Sequence, residues 1–244
     1  MYLWRSSHDA VDLAFTDRYG GVSAAPYDEL NLGANTADDP SQVARNLELL
    51  TADFAPGAAV AVPMRQVHGA EVAYVERQDS LSDRELQCDG QVTDQTDLVL
   101  VVRVADCVPV LLADSANGVI GVAHAGRLGL AAGVVPATVA RMRESGAADI
   151  TAWLGPHICG ACYEVPAAMQ EEAVALVPES RATTSWGTPA LDIGAGVRAQ
   201  LEGMGVTVVD VATCTRESPD LYSYRRDGAA AGRFAGLIRR RPRE

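Results

Sequence analysis

The stretch Leu98–Val135, LVLVVRVADCVPVLLADSANGVIGVAHAGRLGLAAGVV, decides the fold. Its apolar runs are nearly continuous, whereas a strand with one wet face alternates apolar and polar residues, so these strands are covered on both faces. Asp114-Ser-Ala-Asn-Gly118 has the composition of a turn and joins an antiparallel pair. Each run delivers one reactive side chain at a polar break: Cys107 after Val-Ala-Asp, and His124 after Gly-Val-Ala. A thiol and an imidazole at the ends of neighbouring strands can meet in space. A third candidate, His68, precedes Gly69 at a turn upstream, where its ring can point into a cleft.

Working outward, Asp12–Gly21 reads as a strand ended by a Gly-Gly turn, followed by a long loop rich in Pro, Asn, Asp and Gly. Loops of that length inside compact folds tend to carry function. Ser41 is placed to cap a helix running to Phe54, with Val43, Leu47 and Leu50 on one face. A short strand at Val60–Val62 precedes a strand, turn and strand over Arg65–Glu76, and Arg77–Gln87 reads as a polar loop. Cys88 reads as a small apolar filler. Beyond His124, Gly129–Ser145 reads as a helix in which Pro136 marks a kink or the first turn. Strands are expected at Ile150–Leu154 and Val206–Cys214, and helices at Pro166–Leu176 and from near Asp192 to Met204. Pro178–Pro189 reads as a loop, Leu221–Arg240 closes the chain in a strand or helix, and the terminal Arg-Arg-Arg-Pro-Arg-Glu reads as a solvated tail. No repeat or low-complexity linker divides the 244 residues, so one α/β (mixed α+β) domain over 1–244, a mixed β-sheet core flanked by helices, is expected.

Composition narrows the function. Hydrophobic residues make up 48% and charged residues 21%, as in ordinary globular chains. A net charge of -12 argues against a nucleic-acid or anionic-membrane binder, whose surfaces are basic. No apolar run is long enough to cross a membrane, and the N-terminus has no secretory pattern, so a cytoplasmic protein is expected. Five scattered cysteines do not form a secreted disulfide framework. His157-Ile-Cys159-Gly-Ala-Cys162 holds one Cys-x-x-Cys; with no second such pair, it reads as a turn with two packed thiols.

His68, Cys107 and His124 together form a metal site on this reading. Zinc with three nitrogen or thiolate ligands and an open fourth place is catalytic, whereas four ligands close a structural site. The same donors suit copper. Asp89 and Asp106 are candidates for acid–base work or for orienting ligands, although a turn-capping carboxylate accounts for either. The glycines around Arg127 could offer backbone N–H groups to an anion at a helix start. The rival reading is a nucleophilic pair, Cys107 with His124 as base.

In order along the chain, Gln66-Val-His-Gly69, Ala105-Asp-Cys107-Val-Pro-Val, Gly121-Val-Ala-His-Ala-Gly126, Leu154-Gly-Pro-His-Ile-Cys-Gly-Ala-Cys162 and Tyr222-Ser-Tyr-Arg-Arg-Asp-Gly228 resemble the YfiH/laccase-domain family. The early loop, with Asn46 beyond it, carries the same likeness. The resemblance implies a YfiH-like mixed α/β fold and a His68–Cys107–His124 zinc site. It also implies cleavage of adenosine, inosine and 5'-methylthioadenosine with phosphate, together with adenosine deamination. Older descriptions imply a copper polyphenol oxidase or a Cys-His hydrolase. Arg65, Arg127, Arg225 and Arg226 are candidate phosphate partners, since guanidinium forks suit phosphate, and Tyr222 or Tyr224 could stack on a base. One departure stands out: the family reads His-Ala-Gly-Trp-Arg-Gly, whereas this chain has Arg127-Leu128. Purine nucleosides and phosphate are the expected partners of a monomer or small homo-oligomer.

Overall fold

The computed structural model describes residues 1–57, 59–77 and 85–242. Fourteen strands appear among the described residues. They are β1 (Tyr2–His8), β2 (Val11–Thr16), β3 (Val60–Arg65), β4 (Val72–Tyr74), β5 (Leu86–Gln87), β6 (Gly90–Thr93), β7 (Leu98–Val104), β8 (Val108–Asp114), β9 (Val119–Ala125), β10 (Thr151–Leu154), β11 (Arg181–Thr183), β12 (Pro189–Leu191), β13 (Thr207–Asp210) and β14 (Phe234–Arg240). The helices are α1 (Pro40–Phe54), α2 (Arg127–Ala132), α3 (Val134–Glu144), α4 (Ala167–Leu176), α5 (Ile193–Gly203) and α6 (Tyr224–Asp227).

The expected mixed core is two sheets rather than one. The first runs β1-β2-β14-β7-β3-β5 and the second β13-β10-β8-β9-β6-β4, with β11 and β12 a separate pair. Each large sheet mixes parallel and antiparallel pairs. Period-two alternation shows how they stack. Leu98, Leu100 and Val102 of β7 share an inner core with Leu111 of β8 and Ile120 and Val122 of β9. Val99 and Val101 face the other way, onto Leu50 and Phe54 of α1. Val108, Val110 and Leu112 turn outward onto α3 and α5 through Val135, Val139 and Val197. The layers are therefore α1, sheet, sheet and the α2–α5 group, and both central strands of the second sheet are buried throughout.

Several expectations change at the level of elements. Asp39, not Ser41, caps α1, accepting the Ser41 amide at 2.8 Å. The helix expected over Gly129–Ser145 is split at Gly133, whose φ of 81° a glycine adopts at little cost; Pro136 then falls in the first turn of α3. The Pro178–Pro189 loop holds β11 and leads into β12. β1 pairs with β2, although Tyr2–His8 shows no clean alternation. Arg239 and Arg240 of the expected solvated tail lie in β14, where Arg239 Nε donates to Asp12 at 2.8 Å. Most of the polar loop expected at Arg77–Gln87, and residues 243–244, lie outside the described residues.

The long loop after β2 is irregular, as read. It is held by Asn46 of α1, whose buried amide donates to Ser23 Oγ and Asn31 O, and whose Oδ1 accepts the Val22 amide.

Candidate metal centre and substrate cleft

Cys107 stands immediately before β8, and the antiparallel register puts Val108 opposite Ala125 and Pro109 opposite His124. By parity Cys107 faces the same way as Leu111 and Ala113, and His124 the same way as Ile120 and Val122. Both reactive groups therefore sit at the mouth between the two sheets, where the inner core ends. His68 reaches them from the loop after β3, with φ at 62°. Its Nε2 lies 3.9 Å from Cys107 Sγ, and its ring stands edge-on to His124 at 4.7 Å between centroids. The ligand atoms of all three lie within 4.8 Å of one another.

Asp89 organises this group from behind. It is fully buried and accepts the amides of Val67 (3.1 Å), His68 (2.9 Å) and Gly69 (2.7 Å). Its Oδ1 also accepts the Nδ1–H of His124 at 2.8 Å, which leaves Nε2 of that ring for the centre. Burial works against the Asp89 carboxylate, but these donors outweigh it and hold its pKa below the usual value. Asp89 is fully buried and is not among the residues lining the cleft, so it stands behind the group and orients it. Burial likewise works against the Cys107 thiolate, yet His124 and His68 bring the thiol down to about 6. His124 is raised to about 9 by Cys107 and Asp89, against the effect of burial.

The donor set fits a metal ion. One thiolate and two imidazoles match zinc's preferred ligands and leave a fourth place. Gly126 shows that the space is reserved: a Cβ there would lie 2.9 Å from Cys107 Sγ and 3.0 Å from His68 Cδ2.

The three residues open onto a cleft of about 510 Å³, within the range that encloses a drug-sized molecule. Arg127, Tyr224 and Arg225 line it, as does Asp106. Asp106 takes a positive φ of 92° and accepts Thr215 Oγ1 and the Arg225 amide, each at 2.6 Å. It thus fixes the turn that aims Cys107 and carries the start of α6. The displaced arginine still reaches the cleft, within hydrogen-bonding reach of Tyr163, while Leu128 is 52% exposed. Arg225 stacks over the same tyrosine at 4.9 Å.

Three expected substrate residues lie elsewhere. Tyr222 is buried, with its hydroxyl donating to Tyr27 O at 2.6 Å, so it is core; Tyr224 is the exposed partner. Arg226 is spent on loop carbonyls, including Thr215 O, Ser218 O and Leu221 O. Arg65 is exposed at the end of β3 and is not among the cleft residues. Six-residue α2 is too short for the expected backbone anion site to rest on its dipole. Sequence reading missed Asn35, Thr36, Arg103 and Arg233, which line the cleft from distant segments. The loop's length was the signal for the first two; nothing local marks the arginines.

Comparison with known proteins gives the chain's relatives and its structural neighbours. Residues 12–241 match the family described as multi-copper polyphenol oxidoreductase laccase. A Streptomyces coelicolor protein named purine nucleoside phosphorylase is 51% identical over 238 residues, covering 96% of this chain and 97% of its own. A Mycobacterium tuberculosis protein of the same name is 48% identical over 229 residues, covering 91% and 89%. Among solved structures, Neisseria meningitidis NMB0706 is similar at 32% identity and a TM-score of 0.86, covering 98% of this chain and 99% of its own. The YfiH protein of Bacillus licheniformis is similar at 28% identity and a TM-score of 0.87, covering 95% and 93%.

Proposed function

Because this chain belongs to the family described as multi-copper polyphenol oxidoreductase laccase, in which near relatives bear the name purine nucleoside phosphorylase, we propose that it is a zinc-dependent purine nucleoside phosphorylase acting on adenosine, inosine and 5'-methylthioadenosine. The observation that carries this reading is one cleft lined both by the His68–Cys107–His124 group and by cationic and aromatic side chains.

In phosphorolysis a phosphate oxygen bonds to the anomeric carbon while the glycosidic bond breaks, and the base leaves with that electron pair and takes up a proton. Arg127 and Arg225 make no ion pair among the described residues, so their charge is available to the phosphate. Tyr224, 55% exposed, offers a face for the purine. A zinc ion held by His68, Cys107 and His124 would supply Lewis acidity in the cleft. Asp89 keeps His124 in the required tautomer, and Asp106 keeps Cys107 and Arg225 in place. Asp106 is also the carboxylate lining the cleft, and so the residue to carry a proton in adenosine deamination, the second activity we assign to the site.

Copper polyphenol oxidation is less well supported by the residues. The chain has four histidines. His8 packs edge-on to Trp153, and His157 Nδ1 lies 2.8 Å from Gly155 O, so neither joins the group around Cys107. A Cys-His hydrolase draws on the ordered series Asp89, His124, Cys107, which would activate a thiolate without metal.

Metal-replete protein incubated with inosine and phosphate is expected to release hypoxanthine well above a Cys107→Ala control. Release no greater than that control would overturn the assignment. Stripping zinc with a chelator separates the readings, since a thiol hydrolase would keep its activity.

A further inference from the structure

A second group of ligand-type side chains begins just after Ile158 in the chain, and none of its members lines the cleft. Cys159 and Cys162 come from the turn after β10, and Cys214 and Glu217 from the turn after β13. Their ligand atoms all lie within 4.8 Å of one another. The two turns are built alike. The Cys162 amide donates to Cys159 O at 3.0 Å, and the Glu217 amide donates to Cys214 O at 3.3 Å. Each turn therefore presents two side chains, at its first and fourth positions, toward the other. The missing second half of the Cys-x-x-Cys pair is Cys214-Thr-Arg-Glu217, with a carboxylate in place of the fourth thiol.

We infer that Cys159, Cys162, Cys214 and Glu217 form a closed four-ligand zinc site that pins the turn after β13 to the turn after β10. Cys162 is 4% exposed, and its Sγ lies 3.3 Å from Glu217 Oε1. Cys159 and Cys214 are in side-chain contact. Tetrahedral zinc with bonds of about 2.3 Å to sulfur needs donor atoms about 3.8 Å apart. Side-chain adjustments of about 1 Å or less bring the set to that spacing. Softness favours zinc over magnesium or calcium, which take oxygen donors. On binding, zinc replaces the three thiol protons, which pass to solvent. Three thiolates and a carboxylate leave net negative charge around a divalent ion. Arg216, within hydrogen-bonding reach of Cys162, offsets part of it.

The site has a structural consequence for the cleft. Thr215, between Cys214 and Glu217, donates its hydroxyl to Asp106, the neighbour of Cys107. Zinc in this site is thus one hydrogen bond, Thr215 to Asp106, from the turn that aims Cys107.

The test separates the two centres by metal content. Full-length protein purified under reducing conditions with zinc, then freed of loosely held metal, is expected to hold two zinc ions per chain. The count falls to one in Cys107→Ala and to one in Cys159→Ser, whose changed residue is partly exposed. Cobalt loaded into the Cys107→Ala protein is expected to show strong thiolate-to-cobalt charge transfer, which disappears when Cys214→Ser is added. Glu217→Gln, on the surface, guards against misfolding and is expected to weaken the second zinc by tenfold or more while leaving circular dichroism unchanged. A wild-type chain that holds one zinc, unchanged by Cys159→Ser, would overturn the inference. A Cys107→Ala protein that takes up cobalt without thiolate charge transfer would do the same.

Discussion

Replacing Asp89 by Asn tests the organisation of the metal centre most sharply, because the change keeps shape and removes charge. Four donors converge on the carboxylate: three successive backbone amides and the His124 ring. A carboxylate has acceptor sites for all four, whereas an amide has one oxygen, with two lone pairs, and adds two donors of its own. At best two donors keep a partner, and two lose theirs and face the amide's own N–H groups. At about 1–3 kcal/mol for each orphan, the loss of stability is about 2–6 kcal/mol. Zinc binding at the His68–Cys107–His124 group is expected to weaken separately, by about 10–100-fold, because His124 loses the partner that fixes its orientation. Denaturant unfolding of the metal-free proteins reads the first effect, and competition against a chromophoric chelator reads the second. The folded pKa of Asp89 is depressed, so its stabilisation is present above the ordinary carboxylate pKa and fades as acid protonates it. The gap between wild type and Asp89→Asn must therefore narrow at low pH. A variant within about 0.5 kcal/mol of wild type at neutral pH, with zinc affinity intact, would show that the buried carboxylate is not what holds the site together.

Other perturbations address the rest of the cleft. Between about 6 and about 9 the metal-free centre holds Cys107 as thiolate and His124 protonated, so one proton opposes metal binding; zinc affinity is expected to rise about tenfold per pH unit across that window and then flatten. The accompanying stability term of Cys107 is lost as pH falls through about 6, and that of His124 as pH rises through about 9, which unfolding curves against Cys107→Ser and His124→Gln will show. Gly126→Ala drives a methyl against Cys107 Sγ and His68, and is expected to lower zinc affinity at least about tenfold while the fold survives, as circular dichroism checks. Arg127→Ala is expected to raise KM for phosphate by about tenfold, the worth of one charge-assisted contact, whereas Arg65→Ala leaves it unchanged. Tyr224→Ala is expected to raise KM for the nucleoside, Tyr224→Phe to preserve it, and Tyr222→Phe to leave KM alone while costing about 1 kcal/mol of stability.

What the residues disclosed in advance follows a physical divide. The β8–β9 pair is legible because a turn sequence joins two runs of one character, and its register then carries Cys107 to His124. α1 and α5 are legible from their periodicity and polar starts. The division into two sheets is not, because β7 and β8 share the same apolar pattern and the chain changes sheet at Asp106, a non-glycine residue at positive φ that carries no local signal. Tyr222 and Tyr224 are equivalent in sequence, and only packing against Arg18 and Tyr27 makes one of them core. Cys159 and Cys162 read in sequence as a turn with two packed thiols because the side chains they meet stand far along the chain, and one of the two is a glutamate.

The place of β14 bears on how the molecule comes to exist. It is inserted between β2 and β7, with Gly236 paired to Phe15 and Leu237 to Val101. During synthesis at about 5–20 residues per second, β2 and β7 are both made before the strand that separates them, and β2 waits roughly 10–40 s for it. Through that interval two sticky, unpaired edges face each other across a strand-wide slot. A nascent chain halted before Phe234 is thus poised to close the gap wrongly or to recruit another chain's strand.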